Sequence, residues 1–269
     1  LPPCSQTSRK PGKPGTVAIE RVPVQLLEEA GVARSRATMS FGLPLPQGAV
    51  FDLDNLRLLG SADREIAAQF TATSFWPDDS LKWVLIDTAV PLAARQSMDC
   101  LVEFGSRVHR ALQALPLKVE SVADAVTVVT GPLKVEIDKR RFHLFSAVWL
   151  DANHDGRFTD GESVAASGPE GVVLIDQHGE RFTMSNRPPE SVRIEEQGPQ
   201  KVVVRVEGPY AAGDGRTYMR YIARLIFRAD SPRVELVYTH VNDYLKTEFT
   251  DITSLCIPMK LAGGLQRAT

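Results

Sequence analysis

Residues 66–90 read IAAQFTATSFWPDDSLKWVLIDTAV. Two β-rich runs, 66–75 and 81–90, flank the connection Trp76-Pro77-Asp78-Asp79-Ser80. Proline presets φ and aspartate bonds its own backbone, so the connection is tight and the two runs read as neighbouring strands. The same grammar continues outward. Strand candidates precede it at 22–27, 37–43 and 56–58, and another follows at 98–104. Beyond a break they resume at 125–130, 133–138, 142–150, 172–176, 180–184, 192–197, 201–208, 216–228, 233–242 and 248–259. Gly131-Pro132, Gln177-His178-Gly179, Gly198-Pro199 and Gly213-Asp214-Gly215 punctuate this second series. The last strands exceed the usual length of about five or six residues. The fold class is therefore all-β, and the long second series predicts a large antiparallel β-sandwich.

The break is the segment SRVHRALQALPL at 106–117. Val108, Leu112 and Leu115 have helical spacing and Pro116 would stop a helix, so it reads as a short helix or a linker and marks the domain boundary. The expected organisation is a Pro-, Gly- and Lys-rich leader at 1–15, a first β domain at 16–105, the linker at 106–117 and the sandwich at 118–269.

Composition excludes more than it names. The 269 residues carry 31 Lys and Arg against 33 Asp and Glu, a net charge of -2. That balance argues against a dedicated nucleic-acid surface or a polybasic membrane surface. No run approaches the ~18 apolar residues of a membrane span. The chain is 43% hydrophobic and 24% charged, as ordinary globular proteins are. It starts at Leu1 with no signal peptide in view, which suggests a processed or trimmed start. The tail LAGGLQRAT at 261–269 follows directly on a strand-like run, which suggests a piece of a longer protein. Cys4, Cys100 and Cys256 are widely spaced and form neither a disulfide framework nor a metal cluster. Buried or unpaired thiols are the expected state, with one disulfide as the alternative.

The sharpest motif is DANHDGRFTDGE at 151–162. It fits a twelve-residue calcium loop position by position, with Asp151, Asn153 and Asp155 at positions 1, 3 and 5. Gly156 stands where the turn needs an unhindered backbone. Arg157 would offer its carbonyl, Thr159 would act directly or through water, and Glu162 would be the bidentate ligand. The expected cofactor is Ca2+. A strand candidate precedes the loop and a small polar stretch follows it, so a structural ion between β elements is expected rather than a helical sensor. The alternative is an acidic Asx-rich turn without metal.

A second constellation lies on the long strands. In 216–228, strict alternation puts Arg216, Tyr218, Arg220, Ile222, Arg224, Ile226 and Arg228 on one side. Lys201, Val203, Arg205 and Glu207 form a similar set, and Tyr238, His240 and Asn242 share a face on the next strand. If the strands are neighbours, a basic face with tyrosine and histidine results. Guanidinium forks bind carboxylates bidentately, so an acidic polysaccharide or oligosaccharide is the natural partner. The alternative is a solvated face on which these arginines pair with Glu195, Glu207 and Glu235. Trp76 and Trp83 flank the hairpin turn. They read as core packing, with a sugar platform as the alternative. His109, His143, His154 and His178 are scattered, with no reading beyond surface or packed residues.

A family resemblance rests on FGLPLPQGAV at 41–50, NLRLL at 55–59, AQF at 68–70 and WPDDSLKWVL at 76–85. This ordered string resembles the N-terminal domain of the exo-rhamnogalacturonan lyase and YetA-like family. Asp79 and Ser80 stand where the family often has glycine or another small residue. The resemblance implies a small RIFT-type β-barrel, then a large β-sandwich, then a helical toroid-like catalytic region in full-length members. Nothing in these 269 residues resembles the helical part, and no catalytic motif of the family can be placed on them. It also implies a secreted or periplasmic, carbohydrate-active protein. If the chain were catalytically complete, β-elimination on a uronic acid would follow. Arg220 or Arg224 would neutralise the carboxylate, and His240 with Tyr238 or Tyr218 would supply base and acid. The rival is a non-catalytic, calcium-stabilised module that binds carbohydrate or packs on a C-terminal domain or another protein.

Overall fold

A computed structural model describes residues 18–111 and 117–261. The leader at 1–15 lies outside the described residues. The chain divides into two compact units, residues 1–114 and 115–269. Both are built from strands, with no α-helix among the described residues. No described helix is long and apolar enough to cross a membrane.

The first unit holds seven strands: β1 Glu20–Leu27, β2 Arg34–Pro44, β3 Leu56–Leu59, β4 Glu65–Ile66, β5 Ala68–Phe75, β6 Leu81–Leu92 and β7 Ser97–Phe104. They form two antiparallel sheets, ordered β1-β7-β3-β4 and β2-β6-β5. Leu56, Leu58, Val84, Ile86, Val102 and Phe104 pack between them as a small barrel core, essentially without exposure. The expected hairpin is β5–β6. Its turn is closed by the Trp76 N–H donating to the Ser80 carbonyl at 2.8 Å, with Asp79 at φ 66, a left-handed conformation that aspartate tolerates. Asp78 accepts from the Ser80 N–H at 3.1 Å and from the Ser80 hydroxyl at 2.6 Å. That hydroxyl in turn accepts from the Gly48 N–H at 2.9 Å. The Leu45 N–H donates to the Lys82 carbonyl, and the Leu81 N–H to the Val50 carbonyl. These bonds explain why 41–50 and 76–85 carry one motif: the turn chemistry of one segment satisfies the backbone of the other.

After β7 the chain turns back at Gly105, φ 139, where a Cβ would stand 2.5 Å from the Ala18 carbonyl oxygen, so only glycine fits. Residues 105–111 contain no helix. They are tied to the first unit by the Arg110 guanidinium on Asp54 at 2.7 Å and the Ala111 N–H on Glu65. Residues 112–116 are outside the described set.

The second unit holds β8 Lys118–Ser121, β9 Ala125–Val129, β10 Leu133–Asp138, β11 Ala147–Leu150, β12 Ser163–Ser167, β13 Val173–Asp176, β14 Arg181–Thr183, β15 Ser191–Gln197, β16 Lys201–Ala211, β17 Thr217–Arg228, β18 Val234–Val241, β19 Ile252–Cys256 and β20 Met259–Leu261. One sheet runs β20-β12-β11-β10-β9-β8. The other runs β18-β17-β16-β14-β13-β19, with β15 also paired to β16. Val126, Val128, Val135 and Ile137 of the first sheet, and Val202, Val204, Val206, Leu225 and Phe227 of the second, belong to one core, as a sandwich requires. The run expected as one strand at 248–259 is instead two, β19 and β20, in different sheets. Of the cysteines, Cys100 is a buried free thiol and Cys256 an exposed one; Cys4 lies outside the described residues.

Candidate functional site: a charged sheet face and an Asx loop

The candidate residues meet on β15–β18, where register decides which face each side chain takes. From Arg220 onward along β17 the buried positions are Tyr221, Ala223, Leu225 and Phe227, while Arg220, Ile222, Arg224, Ile226 and Arg228 alternate with them. On β18, Tyr238 stands opposite Ala223 and His240 opposite Tyr221, so both belong to the inner, core-facing set. Arg220 and Arg224 belong to the outer set. The sheet therefore separates the arginines from Tyr238 and His240 and does not assemble the expected constellation on one face.

Tyr218 departs from the expected parity for a local reason. The pairing of β16 with β17 slips between Pro209 and Tyr210, leaving Met219 bulged at φ 54. One extra residue inverts the alternation before it. Tyr218 is consequently buried, packed against Phe182 at 4.9 Å and Tyr244 at 4.9 Å between ring centroids.

The outer face is a lattice of ion pairs. Glu195 accepts from Arg224 at 2.6 Å and from Arg205 at 3.1 Å, and Arg205 also reaches Glu207 at 2.8 Å. Arg220 pairs with Glu190, and Lys201 with Glu196 at 3.1 Å. The Arg224 guanidinium, helped by Arg205, holds the Glu195 carboxyl below the usual carboxylate range, and Arg220 does the same to Glu190. Both arginines assigned to carboxylate recognition thus already hold carboxylates of this chain.

The inner face carries a directed hydrogen-bond chain. The Nε2 of His240 lies 3.2 Å from the Met219 sulfur, and its Nδ1 lies 3.3 Å from the Tyr210 hydroxyl. A thioether has no hydrogen to give, so Nε2 must donate. In a neutral ring Nδ1 then accepts from the Tyr210 hydroxyl, and the Tyr210 oxygen accepts from Tyr238. Tyr210 is fully buried, and burial pushes its phenol up to about 12. Burial also raises Tyr238 and lowers His240. Every proton in the chain is engaged, and His240 turns neither a free lone pair nor a charged N–H toward solvent.

The loop at 151–162 has the local geometry that its sequence dictates. Buried Asp151 accepts from the Asp155 N–H at 3.1 Å and the Gly156 N–H at 2.9 Å. Asn153 accepts from the Asp155 N–H at 3.0 Å, and Asp155 from the Arg157 N–H at 2.8 Å. Glu162 turns away from this group. It closes a short 3-10 turn, Asp160–Glu162, by accepting from the Thr159 N–H at 2.9 Å and hydroxyl at 3.0 Å with one carboxylate oxygen. Its other oxygen, Oε1, is buried and has no hydrogen-bond partner. Among the described residues no three His, Cys, Asp or Glu side chains converge as a metal-holding group. The donor set is the hard-oxygen set calcium takes, and the orphaned Oε1 fits a cation, while the position of Glu162 does not complete a shell.

Signals that sequence reading missed are the inner hub Tyr210 and the outer partner Glu190. An open cleft of about 830 Å3 in the first unit, lined by Gln25, Asp63 and Asp99 among others, contains none of the expected site residues.

Comparison with known proteins agrees with the two-part architecture. Residues 20–100 match the PcRGLX-like N-terminal RIFT barrel domain, and residues 117–262 match the PcRGLX-like protein central beta sandwich domain. The uncharacterized protein YetA of Bacillus subtilis (strain 168) is 22% identical over 223 residues, covering 80% of this chain and 24% of that protein. The chain thus spans about a quarter of this curated relative's length. A solved structure of a protein in the glycosyl hydrolase family 38 from Enterococcus faecalis superposes with a TM-score of 0.51 at 10% identity. It covers 81% of this chain and 31% of that one, and at such low identity the likeness concerns the fold alone. With its sandwich matched over more than half of its length and its RIFT barrel matched ahead of that, the chain belongs to the PcRGLX-like family.

Proposed function

We propose that these residues form the non-catalytic β portion of a secreted, carbohydrate-active protein related to the exo-rhamnogalacturonan lyases. One observation carries this reading: Arg220 and Arg224 lie on the opposite sheet face from Tyr238 and His240. A β-elimination site needs carboxylate neutralisation and proton transfer at one sugar ring, which groups on two faces of a sheet cannot supply together. The other half of the reading is a packing role. Leu245 and Phe249 are 94% and 79% exposed, and Ile252, Leu255, Ile257 and Met259 near them are also exposed. Apolar surface on that scale suits a partner domain or protein. The test is incubation with rhamnogalacturonan while recording absorbance of the unsaturated product. No rise is expected; a rise that disappears in Tyr238→Phe would overturn the proposal.

A second reading concerns the loop, and the orphaned Oε1 of Glu162 favours it. Calcium would be held by Asp151, Asn153 and Asp155 and by Glu162 after it leaves Thr159. Uptake would exchange one cap for one ligand, so binding is expected to be accompanied by a local rearrangement and to stabilise the sandwich in proportion to ion concentration. Melting curves with calcium and with chelator test this, and equal curves would sink it. Glu162→Gln should remove the difference.

A further inference from the structure

The cleft of the first unit, about 830 Å3, lies on the β1-β7-β3 sheet, and register builds it row by row. Val24, Leu58 and Val102 are spent on the barrel core, so the residues that alternate with them face outward. Three cross-strand rows result. Pro23, Leu101 and Leu59 stand side by side as an apolar row. To one side of it Glu103, only 1% exposed, stands between Arg21 and Arg57 and accepts from them at 2.8 and 2.6 Å. To the other side Gln25 stands opposite Asp99 and donates to it at 3.0 Å. Four residues separate Arg21 from Gln25, about 14 Å at strand rise.

The turn after β3 makes the wall. Ala62 at φ 56 and Asp63 at φ 54 are consecutive non-glycine residues in the left-handed region, and both line the cleft. Alanine has no side-chain bond to offset that conformation, so the surroundings must hold it. Arg21 does so by donating to Asp63 at 3.3 and 3.4 Å, which ties the wall to the charged row. Neither tryptophan of the β5–β6 hairpin takes part. Trp76 donates its indole N–H to the Leu45 carbonyl at 3.0 Å and is capped by the Lys82 ammonium, 4.5 Å from its ring centroid. Trp83 is 44% exposed but is not part of the lining.

Hydrogen-bond accounting points to the occupant. Asp63 and Asp99 present carboxylate oxygens and Gln25 its amide oxygen, all acceptors. Arg21 and Arg57 turn onto Glu103 and Asp63, so the strong donor left among the lining side chains is the second N–H of Gln25. A ligand rich in hydroxyl donors fits this lining, whereas a carboxylate meets acceptors where it needs donors. An ammonium ligand gains little. The charges of Arg21 and Arg57 cancel those of Glu103 and Asp63, and water screens the remaining, exposed Asp99. The apolar row suits the C–H face of a sugar ring, and the volume lies within the ~300–1,000 Å3 of small-ligand clefts.

We propose that this cleft binds neutral saccharide chains. Asp99 and Gln25 take hydroxyls at one end, Asp63 takes one at the other, and Pro23 and Leu101 carry the ring between them. The proposal rests on the carbohydrate-active reading for its ligand class, yet the two can fail separately. Affinity electrophoresis of the whole chain in gels containing β-1,4-galactan, arabinan or polygalacturonate tests it. At least one of the two neutral polymers should retard the protein more than polygalacturonate does. Asp99→Ala should weaken that retardation about tenfold and Gln25→Ala about threefold, while Asp99→Asn, which keeps one acceptor, should retain part of it. Both side chains are exposed, so unchanged melting temperatures are expected and certify folding. If Asp99→Ala does not fold, Gln25→Ala and Asp99→Asn carry the test. Retardation by neither neutral polymer, by polygalacturonate alone, or indifferent to all three variants overturns the proposal and leaves the non-catalytic reading untouched. A positive lyase assay would overturn that reading and leave this result standing.

Discussion

The two faces of the β16–β17–β18 sheet are made by alternate residues of the same strands, yet they obey different physics. Inside, Val204, Leu225 and Phe227 are excluded from water, and Tyr210 and His240 are satisfied through one directed chain, while the buried Tyr221 hydroxyl has no hydrogen-bond partner. Outside, Arg205, Arg220 and Arg224 meet Glu195, Glu207 and Glu190 in partly exposed pairs. Burial makes each inner contact expensive to remove, whereas water screens each outer one. A dense cluster of charges on a sheet can therefore be nearly neutral for stability and, when its charges are mutually spent, also poor as a binding site.

The largest break in this contrast is Leu225→Ala on the inner face, expected to lower unfolding free energy by about 3 kcal/mol in urea titration, because transfer and cavity terms add. A loss below about 1 kcal/mol would mean that the inner face is not a packed core. Tyr210→Phe comes next. It leaves the packing but removes the hub, so about 1–2 kcal/mol should be lost in the same titration as the donors and acceptors of Tyr238 and His240 fall unpaired.

A pH series sharpens the comparison. Burial lowers His240 and His143 from their ordinary value of 6.5. The unfolded chain then takes up protons below pH 6.5 that the folded chain refuses. Stability from this source is full above that pH and is lost as pH falls toward the folded values. The lowered Glu190 and Glu195 act in a separate window: their contribution is present above 4.5 and disappears as pH falls below it. His240→Asn should shrink the first window to the His143 part and leave the second unchanged. The smallest effect belongs to Arg224→Ala, expected to cost about 0.5 kcal/mol or less at neutral pH and to shrink the second window only. A larger loss at neutral pH would show that the outer lattice does more than satisfy itself.

How much of this was legible follows from the range of the forces. The β5–β6 hairpin and the Asx turns of 151–157 are local: proline, aspartate and asparagine act within a few residues, so their positions in the chain suffice. The face of Tyr218 was not legible, because Met219, a non-glycine residue at positive φ, gives no sign of the bulge that inverts the alternation. The pairing of Arg224 with Glu195 was among the readable alternatives, but choosing it required knowing that β15 and β17 both flank β16. The exposure of Trp83 beside the capped Trp76 was equally hidden, since both stand at the edges of one turn.

By itself the sequence determined the all-β class, the two-part division and the local turns, since periodicity and turn chemistry are properties of neighbouring residues. Only the tertiary structure decided which groups share a face. Strand order, register and a bulge separated the expected catalytic residues and left Trp83 partly exposed. The physical reason is that a strand offers every residue one of two faces, and the choice between water and core is made by partners far away in the chain.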